Sequence, residues 1–146
     1  MTKKILACVA ALATGCIMAL TGCAARAQDV TVTFYDMGKA DAALITAEDG
    51  SRILIDAGTN KGGKKLAERF AEEGIERLDA MIITHFDKDH VGGADKILDA
   101  MHVKRVLEPD YTVEKKQFRE YREALVRNGI TAMRITDVER RSLGKA

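Results

Sequence analysis

The sequence predicts a mixed α/β domain in which an antiparallel β-meander continues into β-α-β-α-β units, and three observations carry that prediction. First, Val30, Val32 and Phe34 alternate with Thr31, Thr33 and Tyr35, and two further apolar segments flank Glu48, Asp49, Gly50 and Ser51. Second, later segments repeat apolar residues with a helical period and stop at Gly74 and Gly129, the residues that most readily close a helix. Third, the run Ala80, Met81, Ile82, Ile83 contains no charge and closes at Thr84, the pattern of a strand buried on both faces.

The chain of 146 residues is 47% hydrophobic and 31% charged, enough for one globular domain with its own core. Trp is absent, aromatics make up 5% and there is one proline, Pro109. Neither a stacking platform for single-stranded nucleic acid nor a proline-rich linker is indicated.

Residues 1–22 are set apart from the fold. Lys3 and Lys4 form a positive start and residues 5–20 are apolar or small, the layout of an export signal. Leu20, Thr21, Gly22 and Cys23 resemble the lipobox of bacterial lipoproteins. That resemblance implies lipidation of Cys23 and an exported, membrane-anchored lipoprotein. Ala13, Thr14, Gly15 and Cys16 match it less well for want of the leucine. An uncleaved transmembrane anchor is the alternative, although the stretch is marginal against a hydrocarbon core of about 30 Å. Cys8, Cys16 and Cys23 all lie within residues 1–23, so no disulfide is available beyond them. Removing Lys3 and Lys4 reduces 23 basic residues to 21 against 22 acidic ones, a balance unlike that of duplex-binding proteins.

Residues 23–29 read as a short tether to the domain. The first strand, 30–35, ends at Asp36, Met37 and Gly38; strands 42–47 and 52–56 follow, joined at the Asp49-Gly50 hairpin signal. Asp56, with Ala57 and Gly58 after it, closes the third strand and aims a carboxylate at the rim. Beyond Gly62 and Gly63, a helix places Leu66, Ala67, Phe70 and Ala71 on one face and Lys64, Lys65, Glu68, Arg69, Glu72 and Glu73 in water. The strand at 80–83 leads to a second helix carrying Ala94, Ile97, Leu98 and Met101. A strand at 104–108, a helix at 113–128 with Phe118, Tyr121 and Leu125 on one face, and a strand at 131–135 complete the series. Residues 137–146 have no apolar periodicity and read as a frayed end. The basic segment 115–127 is interleaved with Glu120 and Glu123, as on a solvated helix face rather than a nucleic-acid site.

The chain is organised around residues 78–93, where the apolar run delivers His85, Asp87, Asp89 and His90 within six positions before Gly92 and Gly93. Imidazole nitrogens and carboxylate oxygens are ligands for divalent metals, and a cation relieves the repulsion among carboxylates crowded on one turn. The glycines let the backbone pass close to the site and start a helix whose N-terminal end is directed at an anion there. The alternative is a polar loop capping that helix with Asp89, although a cap needs one carboxylate and no histidine. At a strand's C-terminal end, such a cluster stands where ligands collect in open α/β sheets.

The pattern H-x-[H/D]-x-D-H directly after an apolar strand resembles the metallo-β-lactamase signature. The segments YDMGKADAALI, ILIDAG and THFDKDHVGG are similar to its ComEC-like branch. The resemblance runs from residue 30 to about 135. It implies an αββα sandwich, represented by its N-terminal half only, in a domain at 30–146 that is truncated at its C-terminus. It further implies one or two divalent metal ions, zinc by family. His85 and Asp87 would hold the first and Asp89 and His90 the second, with Asp56 behind them orienting the ligand loop and Asp89 as the catalytic residue that orients water. Asp87 stands where most members carry a histidine, which hardens the site toward manganese or magnesium. The implied chemistry is attack by a metal-bound hydroxide, with a phosphodiester or nucleic acid as the favoured substrate.

Two alternatives stay open: hydrolysis of a carbon ester, thioester or lactam in the same fold, and a degenerate lipoprotein that serves as a non-catalytic binding module. The family's remaining ligands come from later segments. His102 reads as a partly buried ordinary residue and Asp110 as a rim or turn residue, while Ala40 replaces a loop glycine common among relatives. Half a sandwich leaves one sheet face without a partner layer. That predicts aggregation, dimerisation or a further C-terminal segment, the last being favoured.

Overall fold

The structure, a computed structural model, describes residues 29–136. The expected export signal, the lipidation site Cys23, the tether up to residue 28 and the frayed end at 137–146 lie outside the described residues. Among the described residues no helix is long and apolar enough to cross a membrane.

The elements follow in the order β1 (Val30–Phe34), β2 (Ala43–Ala47), β3 (Arg52–Ile55), α1 (Asn60–Glu72), β4 (Arg77–Leu78), β5 (Ala80–Ile82), α2 (Ala94–Ala100), β6 (His102–Val103), β7 (Val106–Pro109), α3 (Lys116–Arg127) and β8 (Met133–Ile135). Six of the strands form one sheet, β1-β2-β3-β5-β7-β8. As the alternation and the Asp49-Gly50 turn predict, β1, β2 and β3 pair antiparallel; β3, β5, β7 and β8 pair parallel. Right-handed crossovers that advance in one direction place α1, α2 and α3 on the same face of the sheet.

That face holds the core. Leu44, Leu54, Met81 and Val106 lie side by side across the register. They join Leu66 and Phe70 of α1, Ile97 and Leu98 of α2, and Tyr121 and Leu125 of α3 in one buried cluster. The opposite face carries Val32, Ile45, Ile53, Ile55, Ile82 and Leu107 across neighbouring strands. No layer covers it among the described residues, and Val30, Val32 and Phe34 are 55%, 46% and 81% exposed. The result is one sheet with one helical layer, the αβ half of the expected sandwich.

Several features differ from the sequence reading: α1 begins at Asn60 and takes in Gly62 and Gly63 instead of following them, and β8 begins at Met133 instead of residue 131. The strand expected at 104–108 begins only at Val106 and runs to Pro109 in the main sheet, and ahead of it His102–Val103 pairs with Arg77–Leu78 in a separate two-stranded sheet that the sequence reading did not predict. Lys104 and Arg105 between them are exposed, which the buried register of a central strand does not accommodate. His102 is exposed rather than partly buried, because β6 lies outside the main sheet. The third helix starts at Lys116 and not at residue 113, since Lys115 is extended at φ −120 and ψ 147.

Two glycines decide how closely the helical layer fits. A Cβ on Gly93 would lie 2.3 Å from the Ala57 carbonyl oxygen and 2.5 Å from the Gly63 Cα, and one on Gly63 would lie 2.3 Å from the Gly93 Cα. The backbone of α1 therefore rests directly on the start of α2. This contact seats the turn that precedes α2 at the sheet's rim.

Candidate metal centre

Four loops meet at the rim formed by the C-terminal ends of the parallel strands. Asp56 follows β3, residues 83–93 follow β5, and residues 110–115 follow β7. The β1–β2 loop reaches the same edge because Ala43 pairs with Ile55. Backbone hydrogen bonds tie the loops together. The Ala57 N–H donates to the His90 carbonyl (2.9 Å), the Gly58 N–H to that of Asp41 (3.0 Å) and the Asp41 N–H to that of Asp89 (3.2 Å).

Asp56 is the pivot. It is 3% exposed and is the one non-glycine residue among those described with a positive φ, 56°. An aspartate tolerates that conformation better than most residues, and strain of this kind concentrates at functional sites. Its carboxylate accepts the Thr84 N–H (2.8 Å), the Thr84 hydroxyl (2.6 Å) and His90 Nδ1 (2.8 Å). With its proton given to Asp56, the Thr84 oxygen is left to accept from His85 Nδ1, 3.0 Å away. One carboxylate thus sets both imidazoles, His90 directly and His85 through a hydroxyl, with their protons on Nδ1. Both Nε2 lone pairs are then left for a ligand, the arrangement in which histidines hold metals.

The two rings are tilted by 48° to each other with centroids 3.7 Å apart. His85 Nε2 stands 3.7 Å from Asp87 Oδ2, and His90 Nε2 stands 3.4 Å from Asp41 Oδ2. The expected residues His85, His90, Asp87 and Asp56 are therefore brought together. Asp89 lies on the same turn, but its carboxylate makes no hydrogen bond or ion pair among the described residues; its carbonyl carries its one contact here, with Asp41. Asp110 is a rim residue, paired with Arg134 at 3.0 Å.

The turn is anchored from beneath by Phe86, between His85 and Asp87. It is 1% exposed and packs on Phe118 (4.6 Å), Tyr111 (5.0 Å) and Tyr121 (6.3 Å). Its N–H donates to the Tyr111 hydroxyl at 3.3 Å. Below this cluster the buried Glu108 accepts from the Tyr121 hydroxyl at 2.8 Å and from Arg122 at 3.0 Å. Burial first, and then the Glu108 charge, push the Tyr121 phenol well above its ordinary range. The Lys115 ammonium hydrogen-bonds Asp87 and holds that carboxyl below its usual range.

The donor chemistry fits a divalent cation: two imidazoles held through Nδ1 and several carboxylates at one opening. Among the described residues no group of three His, Cys, Asp or Glu side chains converges to enclose an ion. The donors stand instead as two pairs, His85 with Asp87 and His90 with Asp41.

The start of α2 differs from its expected role. The Gly93 N–H donates to the Gly58 carbonyl (2.9 Å) and the Ala94 N–H to that of Val91 (3.0 Å), so these amides are not offered to an anion. The glycines at 92 and 93 serve close packing. Sequence reading missed Asp41, Thr84 and Lys115. The Asp-Ala pair before β2 was a signal for the first and the Thr-His pair for the second, whereas nothing local marks Lys115.

Residues 36–142 match the metallo-beta-lactamase superfamily. The chain is 29% identical over 116 residues to ComE operon protein 3 of Bacillus subtilis (strain 168), a match covering 68% of this chain and 15% of that protein. Among solved structures it is similar to a diphosphatase of the PhnP family, with 22% identity, a TM-score of 0.42 and coverage of 65% of this chain and 37% of that one. It is also similar to a metallo-beta-lactamase from Hirschia baltica, with 18% identity, a TM-score of 0.40 and coverage of 77% and 49%.

Proposed function

The chain belongs to the metallo-beta-lactamase superfamily, and from that premise we propose that it is a metal-dependent hydrolase acting on phosphodiester or nucleic-acid substrates. One observation carries the reading: Asp56 fixes both His85 and His90 with Nε2 directed to one opening beside Asp87 and Asp41. His85 and Asp87 would hold one ion, and His90 with Asp89 or Asp41 a second. A divalent metal, when bound, supplies an acidified water and a charge that offsets the developing anion. The chain's own residues do the rest. Asp56 keeps the imidazoles in their ligating tautomer, Phe86 holds the turn rigid, and Asp89, free of other side chains, is available to orient the attacking water. Oxygen donors favour hard ions, and hard ions in turn take phosphoryl oxygens, which supports manganese or magnesium beside zinc and a phosphodiester over a lactam. Export and lipidation at Cys23 belong to the same proposal and rest on residues 1–23 of the sequence.

A second reading, a non-catalytic binding module, is favoured by the absence of three converging donors among the described residues. The two are separated by titrating zinc and manganese into the protein in a calorimeter, then assaying bis-nitrophenyl phosphate and a chromogenic lactam. The proposal expects metal binding lost in His85→Ala and His90→Ala, with cleavage of the phosphodiester. Metal binding without turnover of either substrate favours the module; lactam cleavage alone redirects the substrate class.

A further inference from the structure

The rim is rich in negative charge: Asp41, Asp56 and Asp87 stand beside the two imidazoles, and Asp89 lies on the same turn. A phosphoryl group entering it meets carboxylates on several sides, so an anionic substrate needs positive charge beyond what metals and carboxylates neutralise between themselves. The fold brings in one ammonium from far along the sequence. Lys115 lies 28 residues from Asp87 and reaches it from the β7–α3 loop.

That position is built, not incidental. Tyr111 and Phe118, on either side of Lys115 in sequence, both pack on Phe86. Phe86 is itself the residue between His85 and Asp87. The loop that carries the ammonium and the turn that carries the ligands therefore share one buried anchor. Lys115 is extended and makes no side-chain cap for α3, so its side chain is not committed to the helix. Its side chain and that of Asp87 are each about half exposed, at 47% and 53%, which leaves the ammonium room to move on its flexible stem.

We propose, resting on the hydrolase reading above, that Lys115 is the anion-recognition residue of this site. Its ammonium rests on Asp87 while that carboxylate is without a metal, and it turns to a phosphoryl oxygen when Asp87 takes one. Lys115 is then a specificity residue for anionic substrates rather than a brace for the ligand turn, a task Phe86 already performs.

The test is a calorimetric titration of inorganic phosphate into the manganese-loaded protein, for the wild type, Lys115→Met and Lys115→Arg, with manganese affinity measured on each. Loss of a charge-assisted hydrogen bond predicts phosphate binding weaker by about 10- to 100-fold in Lys115→Met. Lys115→Arg, which keeps the charge, should restore most of it. Manganese affinity should be equal or higher in Lys115→Met, because Asp87 has lost a competing cation. Phosphate affinity unchanged in Lys115→Met, or manganese affinity reduced in it, overturns the proposal and makes Lys115 a brace. Absence of phosphate binding by the manganese-loaded wild type overturns it alone. Absence of manganese binding by the wild type overturns it together with the hydrolase reading.

Discussion

Asp56→Asn isolates the tautomer argument from the fold. The amide is the same size, and asparagine tolerates a positive φ as aspartate does, so the 56° conformation survives. What changes is the proton inventory. The Asp56 carboxylate accepts three hydrogen bonds, from the Thr84 N–H, the Thr84 hydroxyl and His90 Nδ1; an amide oxygen can keep the first, while an NH2 faces the other two. The Thr84 hydroxyl can turn, but His90 must accept at Nδ1 and so carry its proton on Nε2. Two charge-assisted bonds at about 1.5 kcal/mol or more each, partly replaced by neutral ones, give a loss of about 2 kcal/mol. Asp56→Ala leaves all three donors unpaired and adds about 1 kcal/mol for an alanine at positive φ, which suggests about 4 kcal/mol in total. Urea unfolding measures both losses. Nitrogen NMR of the imidazoles reports the tautomer, and calorimetry should show metal affinity reduced by roughly 10- to 100-fold in Asp56→Asn. A His90 still protonated on Nδ1, with metal affinity within twofold of wild type, would refute the reasoning.

Two further predictions follow from packing and burial. Gly93→Ala places a methyl 2.3 Å from the Ala57 carbonyl oxygen; since backbone lies on both sides, a loss of about 3 kcal/mol or failure to fold is expected, whereas Gly129→Ser, with open space around it but φ +67, should cost only about 1 kcal/mol, and equal losses in urea unfolding would contradict the packing account. The Tyr121 phenol, raised by burial and then by Glu108, and the Tyr35 phenol, pushed up to about 12 by burial and then by Glu73, keep their protons in the folded chain above the unfolded value of about 10. Their contribution to stability is therefore complete below that value and is lost as pH rises past it; phenolate absorbance from Tyr121, taken as wild type minus Tyr121→Phe, should appear only together with loss of the helical circular dichroism signal.

Local pattern was enough for the order of the three helices and the six strands of the main sheet, and for half of the candidate site. Alternation at 30–35, the Asp49-Gly50 turn, the charge-free run at 80–83 and the helical periods ending at Gly74 and Gly129 each state a preference that a neighbour in sequence can enforce, and the fold honours them. His85, Asp87, Asp89 and His90 share one turn, so their proximity was never in question. The boundaries that moved did so for tertiary reasons: Arg77–Leu78 has no strand pattern of its own and becomes one because His102–Val103 runs beside it, and Lys115 stays extended where its loop crosses to Asp87.

What the sequence by itself determined is therefore the α/β order, the apolar faces and the list of metal-type donors on one turn, because these depend on period and spacing. What only the tertiary structure decided is how those donors are held. The path from Asp56 through Thr84 to His85, the Asp41 contact with His90, the Phe86 anchor and the Lys115 ammonium all join residues from separate loops. A side chain's tautomer, charge partner and room to move are set by what packs against it, and parallel crossovers bring those neighbours from far along the chain to one rim.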